Sequence, residues 1–531
     1  MLCLTLIAII ASILIIYYIN SLNYWKKRNV AFIKTFPILG GMKDVILKKK
    51  NLSEVILEYY KKCPEKRYYG SFLFTKPCLT IKDIDLIKKI TVKDFDYFVD
   101  HIRSINTDAE PLFAKNLAAL RGQKWREMRN TLSPLFTGSK IRIMFNLISD
   151  SAKQLNEYFS DQFENDEIVE FEAKEVMSRI ATDIIATTSF GIECNSLKED
   201  TEFYKMGKLL VQSNLTAYFK AMMQSISPKL SRKLGISQVP KEISNFFSGV
   251  IKETLKEREE KGIIRQDMIH IMMEAKGKKR PEENLNIPET GFAVVKDDDH
   301  QKNDSNENES TPINVEDIIA QGFVFFLAGF EIVSTMMAFL CHELALNQDI
   351  QKKLQQEIDV AFNKTNEKLN YEEMVHMKYL DMVISEILRK WPLGIMLSRE
   401  CVRDYKLIGS EIHGENDIVI EKGVSIMIPV YGIHRDPNFY PNPDHFDPER
   451  FNDTNKHNIN PYAYLPFGIG PRSCIGSRLA LLEVKVLIVY LLRRFELVVI
   501  ERTEKPLRIS PKKPGLSPDS FWLGLKQRIH F

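Results

Sequence analysis

Residues 465–480 read Leu-Pro-Phe-Gly-Ile-Gly-Pro-Arg-Ser-Cys-Ile-Gly-Ser-Arg-Leu-Ala. Cys474 lies in a glycine-rich loop just ahead of an apolar run with helical spacing. Gly468, Gly470 and Gly476 allow a tight backbone path that turns N–H groups toward one sulfur. The N-terminus of the following helix adds partial positive charge, and both effects favour a thiolate over a thiol. Phe467 is available to cover the sulfur, and Arg472 supplies a fixed cation two residues away. No second Cys or His is near, which argues against zinc, and there is no C-x-x-C pair for thiol exchange. The set suits an axial thiolate to heme iron, with the cation neutralising a propionate. The competing reading is that Cys474 is simply a small buried apolar residue.

The pattern Phe467-Gly468-x-Gly470-x-Arg472-x-Cys474-x-Gly476 resembles the heme-binding signature of the cytochrome P450 family. Glu386-x-x-Arg389, followed by Trp391-Pro392, resembles the family's ExxR helix, and Pro448-Glu449-Arg450-Phe451 resembles the segment that brings a second Arg to that pair. A Glu between two Arg contributes little when exposed; buried, it must be complete or it costs several kcal/mol. These three residues are expected to be structural, holding the core around the cysteine loop. Gly122-x-x-Trp125-x-x-x-Arg129-x-x-x-x-Pro134-x-Phe136 resembles the family's helix that meets the heme propionates. Trp125 and Arg129 are four apart, share one helix face, and could both donate to one carboxylate. Runs at 131–140 and 325–330 resemble insect microsomal members.

The resemblance implies a mostly α fold with a minor β portion, a single large heme-binding domain. It implies heme b held through Cys474, with Trp125, Arg129, Phe467 and Arg472 around it. It implies a monooxygenase that inserts one oxygen atom of O2 into an apolar small molecule, xenobiotic or lipid-like. Electrons would come from an NADPH-dependent cytochrome P450 reductase, with cytochrome b5 a further partner. Two alternatives are a heme-thiolate isomerase or dehydratase acting on hydroperoxides without NADPH, and a heme protein that binds ligands without turnover.

One position departs from the family. Ala328-Gly329-Phe330-Glu331-Ile332 stands where the pattern is A-G-x-D/E-T, whose acid and hydroxyl relay protons to the bound oxygen. Ala and Gly would let a flat ligand approach the helix, and Glu331 is present. Ile332 replaces the hydroxyl and can neither donate nor accept a proton. Either water or Thr335, one turn on, takes over the relay with Glu331, or proton delivery is impaired.

These residues need a scaffold. The chain has 531 residues, 44% hydrophobic and 27% charged, the composition of a globular protein rather than a disordered or multispan one. With 73 Lys plus Arg against 70 Asp plus Glu, the net charge of +3 gives no global reason to expect nucleic acid. Seven cysteines, sparse and odd in number, fit a reducing compartment. Residues 2–19 form an uncharged run; as a helix it would be about 27 Å long, close to the roughly 30 Å hydrocarbon thickness. Tyr17, Tyr18, Tyr24 and Trp25 would form an aromatic belt, and Lys26, Lys27 and Arg28 would keep the rest cytosolic. The expected organisation is a signal anchor over 1–25 in the endoplasmic reticulum membrane, a linker over 26–45, and a cytosolic heme-thiolate domain over 46–531.

Within that body, 68–80 reads as a β-hairpin turning at Lys76-Pro77. Helical spacing covers 141–159, 171–190, 250–262, 373–390 and 477–495, and strand-like pieces cover 406–412 and 418–430. Asn314, with Asp317 three residues on, predicts the cap of a helix running to Leu346, about 45 Å long. The stretch 276–312, rich in Lys, Glu, Asp and Asn, reads as a flexible polar loop.

Overall fold

The computed structural model describes most of residues 23–528. Residues 1–22, except Thr5, Ser12, Ile16 and Ile19, lie outside the description, as do 37–38, 103–110, 164–166, 212–219, 221–222, 224–227, 238, 266, 275–291, 294–312, 514 and 529–531. Most of the expected anchor and nearly all of the polar loop therefore fall outside it.

Among the described residues, nine strands form three small sheets. The first has the order β1 (Tyr68–Leu73), β2 (Lys76–Ile81), β7 (Ser425–Ile428), β4 (Leu397–Glu400). β1 and β2 are antiparallel, β2 runs parallel to β7, and β4 closes the sheet antiparallel to β7 with Leu397 opposite Ile428. The second has the order β3 (Val169–Glu172), β9 (Trp522–Gln527), β8 (Phe495–Val498); the third pairs β5 (Tyr405–Leu407) with β6 (Ile418–Ile420). The first hairpin turns at Phe74-Thr75, with Phe74 at φ 53°, so Lys76-Pro77 opens β2 instead of making the turn.

Helices make up the rest of the site's frame: α1 (Gly122–Leu132), α2 (Gly138–Ser160), α3 (Ala173–Ile185), α4 (Lys241–Lys261), α5 (Val315–Leu346), α6 (Lys378–Lys390) and α7 (Ser477–Arg494). The expected 171–190 helix is split: Phe171 lies in β3, and a π turn, Ala186–Phe190, ends α3. The expected 373–390 helix breaks into Tyr371–Val375 and α6. Phe292 and Ala293, inside the polar stretch, pack into the body, Phe292 against Phe451 and Tyr464.

The centre of the core is α5. Asn314 and Asp317 form a reciprocal capping box, satisfying two of the helix's orphan N–H groups. Ile318, Phe323, Phe326, Met337, Leu340 and Leu344 are fully buried along it. Among the described residues it is the one helix long and apolar enough to cross a membrane, and 67% of its apolar window is buried in the protein. Ala328–Val333 forms a π turn in its middle. Gly329 does not face an open side, as the sequence suggests. A Cβ there would lie 2.9 Å from Ile185 Cδ1, so Gly329 lets α3 pack close to α5.

The junction of the expected anchor and linker differs from the expectation at Trp25. Trp25 is 2% exposed, its Nε1–H donates to Ser71 O at 3.0 Å, and Val30 and Ile33 are buried with it. The ring lies where a Cβ on Gly70 would sit, 2.5 Å from Trp25 Cδ2. Trp25 is thus core, not interfacial belt, and the folded body begins before residue 26. Trp25→Ala should destabilise the body by about 3–5 kcal/mol, seen as a lower thermal midpoint. An unchanged midpoint would contradict this packing. A membrane-release truncation should accordingly end no later than residue 22.

Candidate active site

Position of the cysteine loop begins with the buried Glu386–Arg389 pair on α6. Arg389 Nε and a terminal nitrogen each donate at 2.7 Å to the two carboxylate oxygens, and both side chains are 0% exposed. Arg450 approaches the same carboxylate at 3.5 Å, and Asp447 N–H donates to it at 2.9 Å. Arg389 also donates to His434 O at 2.9 Å. His434 in turn bridges to the loop: Leu465 N–H donates to its Nε2 at 2.8 Å, and Nδ1 lies 3.1 Å from Arg389 O. These partners require a neutral ring with the proton on Nδ1. Burial, followed by the Arg389 charge, pushes its pKa down to about 3, which keeps the ring neutral. Sequence spacing alone does not reveal His434, because its partners come from α6 and the loop start.

The loop itself is held by Cys474 N–H to Phe467 O at 2.8 Å and Ser473 N–H to Gly470 O at 2.9 Å. Gly468 and Gly470 sit at φ 75° and 72°. A Cβ on Gly470 would meet Thr91 O at 2.2 Å, so no other residue fits there. Gly476 differs from the expectation: it has φ −93° at the start of α7, and a Cβ there would lie 3.5 Å from Phe136 Cε1, in ordinary contact. Phe136 contacts Phe325 of α5 edge to face, centroids 5.8 Å apart, and the π turn of α5 touches α7. The cysteine helix and the long helix are therefore packed neighbours.

Cys474 is surface-accessible, yet surrounded closely enough for burial to push its thiol pKa up; the Gly476 N–H and the Arg129 charge pull it down by less. The sequence-based expectation of a lowered pKa is thus corrected. The thiolate needs a metal to displace the proton, as ligation does.

Cations crowd the same region. Arg472 is 8% exposed, donates to the carbonyls of Val99 at 2.8 Å and Leu120 at 2.8 Å, and lies 3.9 Å over the Trp125 ring. Trp125 and Arg129 are both buried on α1, and Arg129 donates to Ser473 O at 2.8 Å, directly bracing the loop. Two groups the sequence does not single out join them. Arg399 on β4 is 1% exposed, and His101 Nδ1 lies 3.0 Å from Ser398 O. Burial pushes Arg399 down to about 10 and Arg472 to about 9; burial, then Arg399 and Arg472, push His101 to about 3. Among the described residues Arg399 pairs with no carboxylate, and its Nε has no hydrogen-bond partner. A buried cation without a counter-charge is costly and calls for an anion. A heme, with a metal for the sulfur and two propionates for the arginines, fits this donor set. Local spacing could not have found Arg399, because the antiparallel pairing of β4 with β7 brings it here.

Arg399→Ala should have opposite effects on the two forms of the protein. It removes a charge-assisted donor worth about 1.5–3 kcal/mol to a propionate, so heme content falls. It also removes an uncompensated buried charge, so the heme-free chain gains stability. Full heme content, or a less stable heme-free chain, would contradict the assignment.

On α5, Ala328 and Ile332 are both exposed in a helix otherwise largely buried, and lie four apart on one face. Ile332 is 44% exposed. Glu331 instead pairs with Lys174 Nζ at 3.0 Å, and Thr335 is buried, its hydroxyl donating to Glu331 O at 2.7 Å. The structure thus brings together Cys474, Phe467, Arg472, Arg129 and Trp125, but turns Thr335 toward α3 and away from the open face of α5.

Known proteins resemble this chain over nearly its whole length. The family model for cytochrome P450 matches residues 31–521. Cytochrome P450 9e2 of Blattella germanica is 41% identical, the match covering 98% of this chain and 97% of the relative. Probable cytochrome P450 9f2 of Drosophila melanogaster is 36% identical over 95% of each chain, and cytochrome P450 6k1 of Blattella germanica is 36% identical over 95% and 93%. With the cysteine loop, the buried Glu386–Arg389 pair and the cation cluster in place, the chain belongs to the cytochrome P450 family, oxidoreductases of the monooxygenase type that use a thiolate-ligated heme.

Proposed function

We propose that this protein takes NADPH-derived electrons from a membrane-bound cytochrome P450 reductase and oxygenates an apolar small molecule, with its catalytic body on the cytosolic face of the endoplasmic reticulum. Cytochrome b5 is a second electron donor in this reading. The observation that carries it is the open face of α5, where Ala328 and Ile332 stand exposed inside a packed core beside the cysteine helix. Heme b bound through Cys474 supplies the activation of dioxygen and the insertion of one oxygen atom. Arg129, Arg399, Arg472 and Trp125 hold the propionates, and Phe467 and Gly470 shape the loop that presents the sulfur. Ala328 and Ile332 form an apolar wall for the substrate and exclude water from that side. Protons must come from Glu331 or from water, because neither the Ile332 side chain nor the turned-away Thr335 can pass one on.

Reconstitution with reductase and a panel of apolar compounds tests this, with NADPH-dependent product the expected result. Conversion of a hydroperoxide without NADPH would overturn it in favour of the isomerase. Ligand-induced spectral shifts with no turnover would favour the binding protein. Losing a positioned proton donor costs about 10²–10⁴ in rate, and a water bypass recovers part of it. Slow turnover with peroxide release is therefore expected. Ile332→Thr should raise product per NADPH; tight coupling in the parent, unchanged by the substitution, would make Ile332 only a wall residue.

A further inference from the structure

The polar stretch 276–312 contains an apolar island, Gly291-Phe292-Ala293-Val294-Val295, directly followed by Lys296 and the run Asp297-Asp298-Asp299. Phe292 is the only Phe, Tyr or Trp in the stretch. An aromatic residue in so polar a setting gains nothing from exposure to water and much from a partner surface. Phe292 has such a partner. Its ring centroid lies 5.1 Å from that of Phe451 and 5.2 Å from that of Tyr464, and those two lie 5.2 Å from each other. The three ring planes are tilted by 52–63° between pairs, so edges meet faces. Phe292 N–H donates to Asp381 Oδ2 at 2.9 Å, and Ala293 beside it is 4% exposed. Asp381 Oδ1 in turn pairs with the buried Lys485 of α7 at 3.3 Å, which fixes the carboxylate in place.

The seat is assembled from separate segments: Asp381 on α6, Phe451 on the turn Pro448–Phe451, Tyr464 ahead of the cysteine loop and Lys485 on α7. One anionic acceptor and two rings match the backbone N–H and side chain of one aromatic residue in a peptide. Tyr464 links this seat to the cysteine loop. Its hydroxyl donates to Ser385 O at 3.0 Å, and its ring stacks on His434, centroids 5.7 Å apart and planes within 12°. His434 then accepts the Leu465 N–H that begins the loop.

We propose that Asp381, Phe451 and Tyr464 form a docking site for an aromatic peptide residue, that Phe292 of this chain occupies it, and that the seated ring is a positioning residue for the cysteine loop, acting through Tyr464 and His434. The inference needs heme at Cys474 but no particular reaction, so it goes beyond the monooxygenase reading and does not depend on it. Two contacts make the seat specific. The N–H bond is strengthened by the Asp381 charge, and the ring pairs add to plain burial. Closing a long chain segment onto the body costs little more than closing a short one, so the length of the stretch is no obstacle.

The test uses the full heme-loaded chain. Chymotrypsin cuts after exposed Phe, and it probes the seat with no substitution. Cleavage after Phe292 should be at least about tenfold slower than in a free peptide of residues 288–296, because proteolysis tracks the unseated population. Cleavage at the rate of the peptide would overturn the docking. Phe292→Ala should lose the red-shifted Soret band of the reduced, carbon monoxide-bound protein about tenfold faster than the parent, as the loss of two ring pairs implies. An unchanged rate would overturn the positioning role. Tyr464→Leu removes the ring through which Phe292 acts, so adding Phe292→Ala to it should speed the loss by less than about twofold more. A second full tenfold, as two independent residues give, would mean that Phe292 only adds general stability. The protease and Phe292→Ala measurements decide the matter even where Tyr464→Leu fails to fold.

Discussion

Cys474→Ser should abolish the red-shifted Soret band of the reduced, carbon monoxide-bound protein, because that band requires a thiolate on the iron. A serine at the same position keeps the loop hydrogen bonds, since Cys474 N–H and Phe467 O are backbone groups. The fold should therefore survive while the band is lost. The same replacement at Cys63, Cys78, Cys194, Cys341 or Cys401 should leave it intact. Burial pushes the Cys78 and Cys341 thiols up to about 12, and those of Cys194 and Cys401 up to about 11. High-pKa thiols packed in apolar surroundings are inert. Survival of the band in Cys474→Ser would mean that another residue ligates the metal.

Glu386→Ala should give little folded protein. The carboxylate, itself fully buried, answers the fully buried Arg389, the partly exposed Arg450 and the Asp447 N–H. Removing it leaves a buried cation uncompensated, a change that costs about 3–5 kcal/mol, and folded proteins have only about 5–15 kcal/mol to lose. The damage passes along the chain of contacts from Arg389 through His434 to Leu465, so heme retention should fall together with solubility. Normal yield and heme content in Glu386→Ala would show that the pair is dispensable. The same contacts give an acid-side prediction. The His434 pKa is lowered from 6.5 to about 3 on folding, so below pH 6.5 the unfolded chain binds a proton that the folded one refuses. The stability from its neutral ring is complete above 6.5 and is lost as pH falls toward 3. Heme release on mild acidification, measured by Soret absorbance, should weaken in His434→Asn if the amide can bridge Leu465 N–H and Arg389 O.

Short-range features were legible in the sequence alone. The cysteine loop, the Asn314 capping box, the Trp125–Arg129 face and the Glu386–Arg389 pair each depend on residues within a few positions of one another. Fixed backbone periodicity makes such neighbours predictable. Tertiary structure decided what depends on distant segments meeting. Arg399 and His434 reach the site through strand pairing and through a hydrogen bond spanning 31 residues. Gly329 serves the α3 contact, and Trp25 belongs to the core because Gly70 leaves room for its ring. The direction of the Cys474 pKa also depended on the fold. Sequence shows the N–H donors and cations that lower it, but only packing sets the desolvation that raises it. Thr335 is the same lesson in one side chain: helical spacing puts it near the face of Ile332, and Lys174, 161 residues earlier, turns its hydroxyl the other way.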